Sequence, residues 1–294
     1  MSDLSTVGPT TGVSRSVAAV LHNGQTAPSQ VASGSVIGPG CNGDYRWDEF
    51  NTYSYLGDNY CALRDDDRQI ISLVRDFFAA NAHHAPRQPD GTRTGLDIGT
   101  GPNLYPAMTM LPFCDSIVLG EWSLANLEWL RKEKEEYGHN WDPFWAELAR
   151  SEPYRSVDDP RNALRRAARV EHASVFDLPV ARYDMGTMFF VAESCTGEPD
   201  EFDRAVRQFA RSLRPGALFA AAFMTGSAGY EVGDQHFPAV KVNTNIIRRS
   251  LRRFVSRGWL PYAAKLKVCP ITTEMPLRHG YDGMVVAFGR IRSR

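Results

Sequence analysis

Two rhythms of hydrophobic and polar positions run along this chain. One is a short, nearly unbroken apolar run bounded by turn residues, which predicts a buried strand. The other places apolar residues three and four apart among charges, which predicts a helix with one buried face. "DDDRQIISLVRDFFAANA" opens the series with a helix: Ile70, Ile71, Leu73, Val74, Phe77 and Phe78 follow an acidic first turn. "TGLDI" (94–98) and "SIVLGE" (116–121) are strands, and "SLANLEWLRKEKEEY" is a helix capped by Ser123. "RVEHA" (169–173) and "DMGTMFFVAE" (184–193) are further strands. "PDEFDRAVRQFARSLRPG" is a helix with Phe202, Val206, Phe209 and Leu213 as its inner stripe. The strand "ALFAAAFM", the helix "NTNIIRRSLRRFVSRGW" and the strands "YAAKLKVCP" and "YDGMVVAFGRI" complete the chain. Such alternation predicts an α/β fold, a mostly parallel sheet with helices on both faces.

Residues 1–43 break the rhythm. They are rich in Gly, Ser, Thr and Val and read as a flexible lead-in, with one short helix near "SVAAVLH". The domain proper then spans 44–294. Its first stretch, 44–62, packs six aromatics into "YRWDEFNTYSYLGDNYCAL". These are either core packing or a lid.

Composition narrows the classes of function. The formal net charge of -1 gives no bulk attraction to nucleic acid. No apolar run is long enough to span a bilayer, and no secretory signal pattern is present. Five scattered cysteines without a CxxC pair suit reduced thiols and a cytoplasmic location. His83–His84 has no third ligand in register, so no metal is expected. The arginines at 248, 249, 252, 253 and 257 read as a solvated helix face.

The candidate chemistry sits in "GLDIGTGPNLYPAM", a strand, a glycine turn and a helix start. A phosphate-binding loop would need Gly-Lys-Ser/Thr, whereas Pro102 and Asn103 follow Gly101. A dinucleotide turn would need a third small residue, where Leu104 stands. Asp97, two places before Gly99, suits a cationic ligand without phosphates, S-adenosylmethionine. Glu121, at the end of the next strand, can accept both hydroxyls of a ribose.

With these motifs in place, the chain resembles class I S-adenosylmethionine-dependent methyltransferases of the nicotinamide, phenylethanolamine and indolethylamine N-methyltransferase group. "FNTYSYLGDNY", "DIGTGPNLY", "GEWSLANLEWL", "NWDP" and "LRPGALFAAAFMTGSAGYEVGDQHF" resemble that group's segments in order and spacing. The resemblance implies a Rossmann-like methyltransferase fold, a seven-stranded sheet with an antiparallel last strand. It implies that 44–62 is a lid whose Tyr55 and Tyr60 fold over the cofactor, and that Gly99, Thr100, Gly101 and Tyr105 line its methionine part. It also implies that Glu121 holds the ribose, Trp122 and Asn126 lie by the adenine, and Val175 borders it. Ser174 replaces the group's aspartate at the adenine edge. Phe223 stands where nicotinamide enzymes carry an aspartate, so the acceptor is not expected to be nicotinamide. Phe223 and Ser227 become the candidate substrate contacts.

Methyl transfer to an amine needs the nitrogen neutral, so a proton acceptor is wanted near the acceptor. Glu193 ranks first, with Tyr230 to orient the acceptor and His236 as a further acid–base candidate. Glu231 and Asp234 are candidates as well. Glu193 alternatively caps a turn, and His236 alternatively is an ordinary loop residue. The expected function is methyl transfer to the nitrogen of a small amine or aza-aromatic. Two alternatives on the same scaffold are cyclisation of S-adenosylmethionine itself and binding without catalysis.

Overall fold

A computed structural model of the chain describes residues 40–256, 265–272 and 280–292. The short helix expected near residues 16–22, most of the lead-in 1–43, and Arg257 lie outside the described residues. Nine strands and nine α-helices are found among those described. The strands are β1 (Thr94–Ile98), β2 (Ser116–Glu121), β3 (Ala168–His172), β4 (Tyr183–Phe189), β5 (Leu213–Thr225), β6 (Gly229–Val232), β7 (Gln235–Pro238), β8 (Lys267–Ile271) and β9 (Gly283–Arg290). The helices are α1 (Thr52–Tyr60), α2 (Asp65–Asn81), α3 (Tyr105–Met108), α4 (Leu124–Glu133) and α5 (Asp142–Leu148). After them come α6 (Glu152–Arg155), α7 (Pro160–Ala167), α8 (Pro199–Ser212) and α9 (Thr244–Arg252).

Seven strands form one sheet in the order β3-β2-β1-β4-β5-β9-β8. The strands β1 to β5 pair in parallel, and β9 is antiparallel to both β5 and β8. This is the Rossmann-like methyltransferase fold. The strand order reverses between β1 and β4, and the crevice at the carboxyl ends of those strands is where α/β sheets take ligands. β4 is buried along its whole length, because helices cover both faces of the sheet. One core cluster packs α2, α3 and α5 on one face, and a second packs α8 and α9 on the other.

Helix ends follow local chemistry. Ser123 accepts the Asn126 N–H and starts α4. Three aspartates fill the first turn of α2, where the helix dipole favours negative charge. The expected helix 199–216 stops at Ser212, and Leu213 begins β5 instead. Pro215 disfavours helical geometry in the residue before it and offers no N–H, so the chain extends there. The expected strand 184–193 also ends early, at Phe189. Phe190 takes a left-handed φ of 59°, and the chain leaves the sheet to cross the glycine turn. The segment 139–167 forms an insertion of short helices ahead of β3.

The β6–β7 hairpin was not anticipated. It pairs Tyr230 with Phe237 and Glu231 with His236 around Gly233–Asp234, with Gly233 at φ 59°. A glycine in the left-handed region is what a two-residue hairpin turn requires. All five cysteines are free thiols. Among the described residues no helix is long and apolar enough to cross a membrane.

Candidate cofactor and acceptor site

The site begins at the glycine turn. Gly99 and Gly101 adopt φ of 66° and 53°, the left-handed region that favours glycine. A Cβ on Gly99 would lie 2.5 Å from Val191 Cγ2, so the turn and the loop after β4 pack backbone against side chain. The Gly99 N–H donates to the Gly120 carbonyl at 2.7 Å, which fastens the turn to β2.

Beneath the turn Asp97 is fully buried. Its Oδ1 accepts the Thr187 hydroxyl at 2.7 Å, and its Oδ2 has no hydrogen-bond partner among the described residues. Burial pushes its carboxyl up to about 7. Thr100 donates its hydroxyl to the Asp97 carbonyl at 3.0 Å.

Glu121 ends β2 with both oxygens fixed. Oε2 accepts the Gly101 N–H at 2.8 Å, and Oε1 accepts those of Trp122 and Ser123 at 2.8 and 2.7 Å. Burial raises its pKa against these bonds, which favour the charged form.

A cavity runs over this floor. It is lined by Gly99, Thr100, Gly101, Glu121, Trp122, Asn126, Ser174 and Val175, and by Tyr55 and Tyr60 of α1. Trp122 is 49% exposed and leans on His172, and Ser174 accepts the Phe176 N–H at 3.2 Å. Asn126 accepts the Thr52 hydroxyl at 2.7 Å, and Tyr60 accepts an Asn103 N–H at 3.0 Å. Thus α1 is tied to the cavity's floor at two points. No Lys or Arg lies among the cavity's described lining residues, and Glu121 is its one acid. A phosphate-bearing cofactor would meet no countercharge here. A cation with a ribose would meet the Glu121 carboxylate, with the buried Asp97 below. These residues therefore fit S-adenosylmethionine.

Tyr105 does not line the cavity. It is fully buried behind Tyr60, with its ring stacked on Phe144 of the insertion. Asn42 and Cys195, which the sequence reading passed over, do line it, and Asn42 binds the Cys195 carbonyl at 2.8 Å.

A second cavity of about 520 Å³ adjoins the first and shares Tyr55, Phe190, Ser194 and Tyr230 with it. Met224, Asp58, Asn59, Gly229, Glu231 and His236 complete its wall. Tyr230 donates to the Ser194 carbonyl at 3.2 Å, and His236 Nδ1 lies 2.7 Å from Glu231 Oε1. The hairpin and the segment 47–55 meet beside this space in one aromatic cluster. Phe237 packs on Trp47, Phe50 and Tyr230.

Three of the expected substrate-side residues stand outside both cavities. Glu193 lies past the end of β4, fully buried, and its Oε1 accepts the Met224 N–H at 2.8 Å. Phe223 points to the opposite core, where its ring centroid is 6.2 Å from that of Phe202, and its neighbour Met224 faces the cavity instead. Ser227 is buried and donates to the Gly229 carbonyl. The rings of His83 and His84 lie against each other at a tilt of 44°, and no group of three metal-ligating side chains gathers among the described residues.

Comparison with known proteins agrees with this geometry. A model of the NNMT/PNMT/TEMT family matches residues 41–258, and the chain belongs to that family of class I S-adenosylmethionine-dependent methyltransferases. An indolethylamine N-methyltransferase of Mus musculus is 25% identical over 167 residues, 53% of this chain and 63% of that protein. A nicotinamide N-methyltransferase of Homo sapiens is 25% identical over 179 residues, 55% of this chain and 66% of that protein. The match thus spans just under two thirds of the length of each relative. The solved structure of Burkholderia thailandensis 1,6-didemethyltoxoflavin-N1-methyltransferase is 15% identical. It covers 77% of this chain and 80% of that chain, with a TM-score of 0.44.

Proposed function

We propose that the chain methylates the nitrogen of a small amine or aza-aromatic acceptor other than nicotinamide, using S-adenosylmethionine. The observation that carries this reading is the pair of joined cavities, one fitted to the cofactor and one of about 520 Å³ left for an acceptor. When bound, the cofactor supplies a sulfonium-activated methyl group. The chain's own residues hold, align and dry the reactants. Glu121 takes the ribose hydroxyls, Trp122, Asn126, Ser174 and Val175 flank the adenine, and Gly99, Thr100 and Gly101 shape the remaining floor. Tyr55 and Tyr60 cover the site, and Tyr230 orients the acceptor from the hairpin. Alignment of this kind is worth roughly 7–11 kcal/mol at best. Glu193 braces the end of β5 against the acceptor wall, so its contribution runs through Met224. We place the catalytic unit in residues 44–294, with 44–62 as its lid.

Cyclisation of the cofactor by itself would need no acceptor room, and the second cavity speaks for an acceptor. The test is incubation with S-adenosylmethionine alone and then with a panel of amines and aza-aromatics, with products weighed by mass spectrometry. Methylated acceptor and S-adenosylhomocysteine are expected. Methylthioadenosine from the cofactor alone would overturn the reading in favour of cyclisation. Calorimetric binding of NAD in place of S-adenosylmethionine would overturn the cofactor.

A further inference from the structure

The acceptor cavity carries a group of side chains that methyl transfer to an aromatic nitrogen does not need. Glu231 and His236 face each other across the hairpin. The imidazole lies over Gly229, where a Cβ would come within 2.5 Å of Cε1 and 2.6 Å of Nε2. Glycine at 229 is thus what lets the ring occupy this place, and Gly229 itself lines the cavity. Nδ1 is engaged by Glu231 at 2.7 Å. A neutral imidazole so engaged carries its proton on Nδ1 and leaves the Nε2 lone pair available. Asp58 on α1 adds a second carboxylate to the wall, and no Lys or Arg is among the described lining residues. The ionisable groups bordering the cavity with His236 are therefore Glu231 and Tyr230 on β6, and Asp58 and Tyr55 on α1. The field favours a cation, and the tyrosine rings offer it π faces.

We propose that the Glu231–His236 pair is the proton acceptor of this cavity, and that the acceptor is an alkylamine arriving as its ammonium ion rather than an aza-aromatic base. The inference rests on the methyl-transfer reading and narrows it. In the step, the acceptor N–H bond breaks, its electron pair stays on nitrogen, and the proton bonds to His236 Nε2. Glu231 steadies the imidazolium, and the proton passes on to solvent, since the His236 side chain is 48% exposed. An aza-aromatic nitrogen has its lone pair free and gives His236 no task.

Phenethylamine and quinoline, offered in parallel with S-adenosylmethionine, separate the two classes. The expected result is methylation of phenethylamine with kcat/KM rising with pH through one ionisation. His236→Gln should lower the phenethylamine-to-quinoline ratio of kcat/KM at neutral pH about 100-fold, the lower end of what a general base contributes. That deficit should shrink as the pH nears the amine's own ionisation. Glu231→Gln should move the ratio in the same direction by less. Binding of S-adenosylhomocysteine confirms that each variant is folded. Equal losses on both acceptors, a pH profile parallel to wild type, or a preference for quinoline would overturn the proposal. So would failure of the S-adenosylhomocysteine complex to bind phenethylamine. Failure to bind S-adenosylhomocysteine at all would instead remove the cofactor reading beneath it.

Discussion

Replacing Glu121 by alanine removes one acceptor from four sets of donors. Three are the backbone N–H groups of Gly101, Trp122 and Ser123, all within 2.8 Å of its oxygens. The fourth is the pair of ribose hydroxyls in the proposed complex. Without ligand the three N–H groups face a cavity that water can enter, so their loss is not additive. A net charge-assisted bond is worth about 1.5–3 kcal/mol, and we take that as the cost to the free protein. For a chain of this size it corresponds to a fall in Tm of about 3–12 °C. The ribose contact is worth a similar about 1.5–3 kcal/mol, so affinity for S-adenosylhomocysteine should drop roughly ten- to a hundredfold. Glu121→Gln keeps the volume and one acceptor oxygen but turns an NH2 group toward a donor, so it should fall between wild type and alanine. Thermal melts without ligand read the first effect, and calorimetric titration well below both midpoints reads the second. A lowered Tm with unchanged affinity would refute the ribose role and leave Glu121 as a brace of the glycine turn. An unchanged Tm would refute the anchoring.

Other consequences can be checked as directly. Burial holds Asp97 protonated up to about 7, so its contribution to stability is complete below the ordinary aspartate range and is lost as pH rises through about 7. Tm should therefore fall between pH 5 and pH 8, and Asp97→Asn should flatten that fall in part, because Asp67 is likewise raised to about 7; an unaltered slope would mean that Asp97 is ionised in the folded chain. Phe223→Ala should cost about 3–5 kcal/mol in denaturant unfolding. Met224→Ala should instead raise the acceptor KM while S-adenosylhomocysteine affinity holds, and a KM effect confined to Phe223 would reverse the assignment of faces. Hydrogen exchange across 44–62 should slow on adding S-adenosylhomocysteine while residues 200–213 change little; equal exchange with and without ligand would make those aromatics ordinary packing.

The elements with strong periodicity were legible in the sequence. The cores of β1, β2, β4 and α8 lie where their apolar patterns put them, and Ser123 caps α4 as its chemistry suggested. Errors fell where the pattern is silent. In a strand buried on both faces, alternation no longer marks a side, so Phe223 and Met224 could not be told apart. The apolar run through Val191 and Ala192 hid the turn at Phe190, because hydrophobicity does not report φ. That is why Glu193 was read as a strand end. Tyr105 belongs to a motif whose spacing says nothing of the insertion helix that buries it. The hairpin did carry a signal, Gly233–Asp234 between Tyr230-Glu231-Val232 and Gln235-His236-Phe237. Its apolar side packs on Trp47 and Phe50, nearly two hundred residues earlier, and only the fold brings them together.

Tyr55 belongs to the walls of both cavities. That shared wall has a consequence for the order of events in a turnover. If α1 settles only onto a filled cofactor cavity, the acceptor cavity lacks one side until then. The acceptor would enter second, and its methylated product would leave before the nucleoside product. Steady-state kinetics would show this as an obligate sequence, with S-adenosylhomocysteine competing against the cofactor but not against the acceptor. An acceptor offered without cofactor would then find a cavity with one wall missing, and its binding should be weak until S-adenosylmethionine or S-adenosylhomocysteine is present.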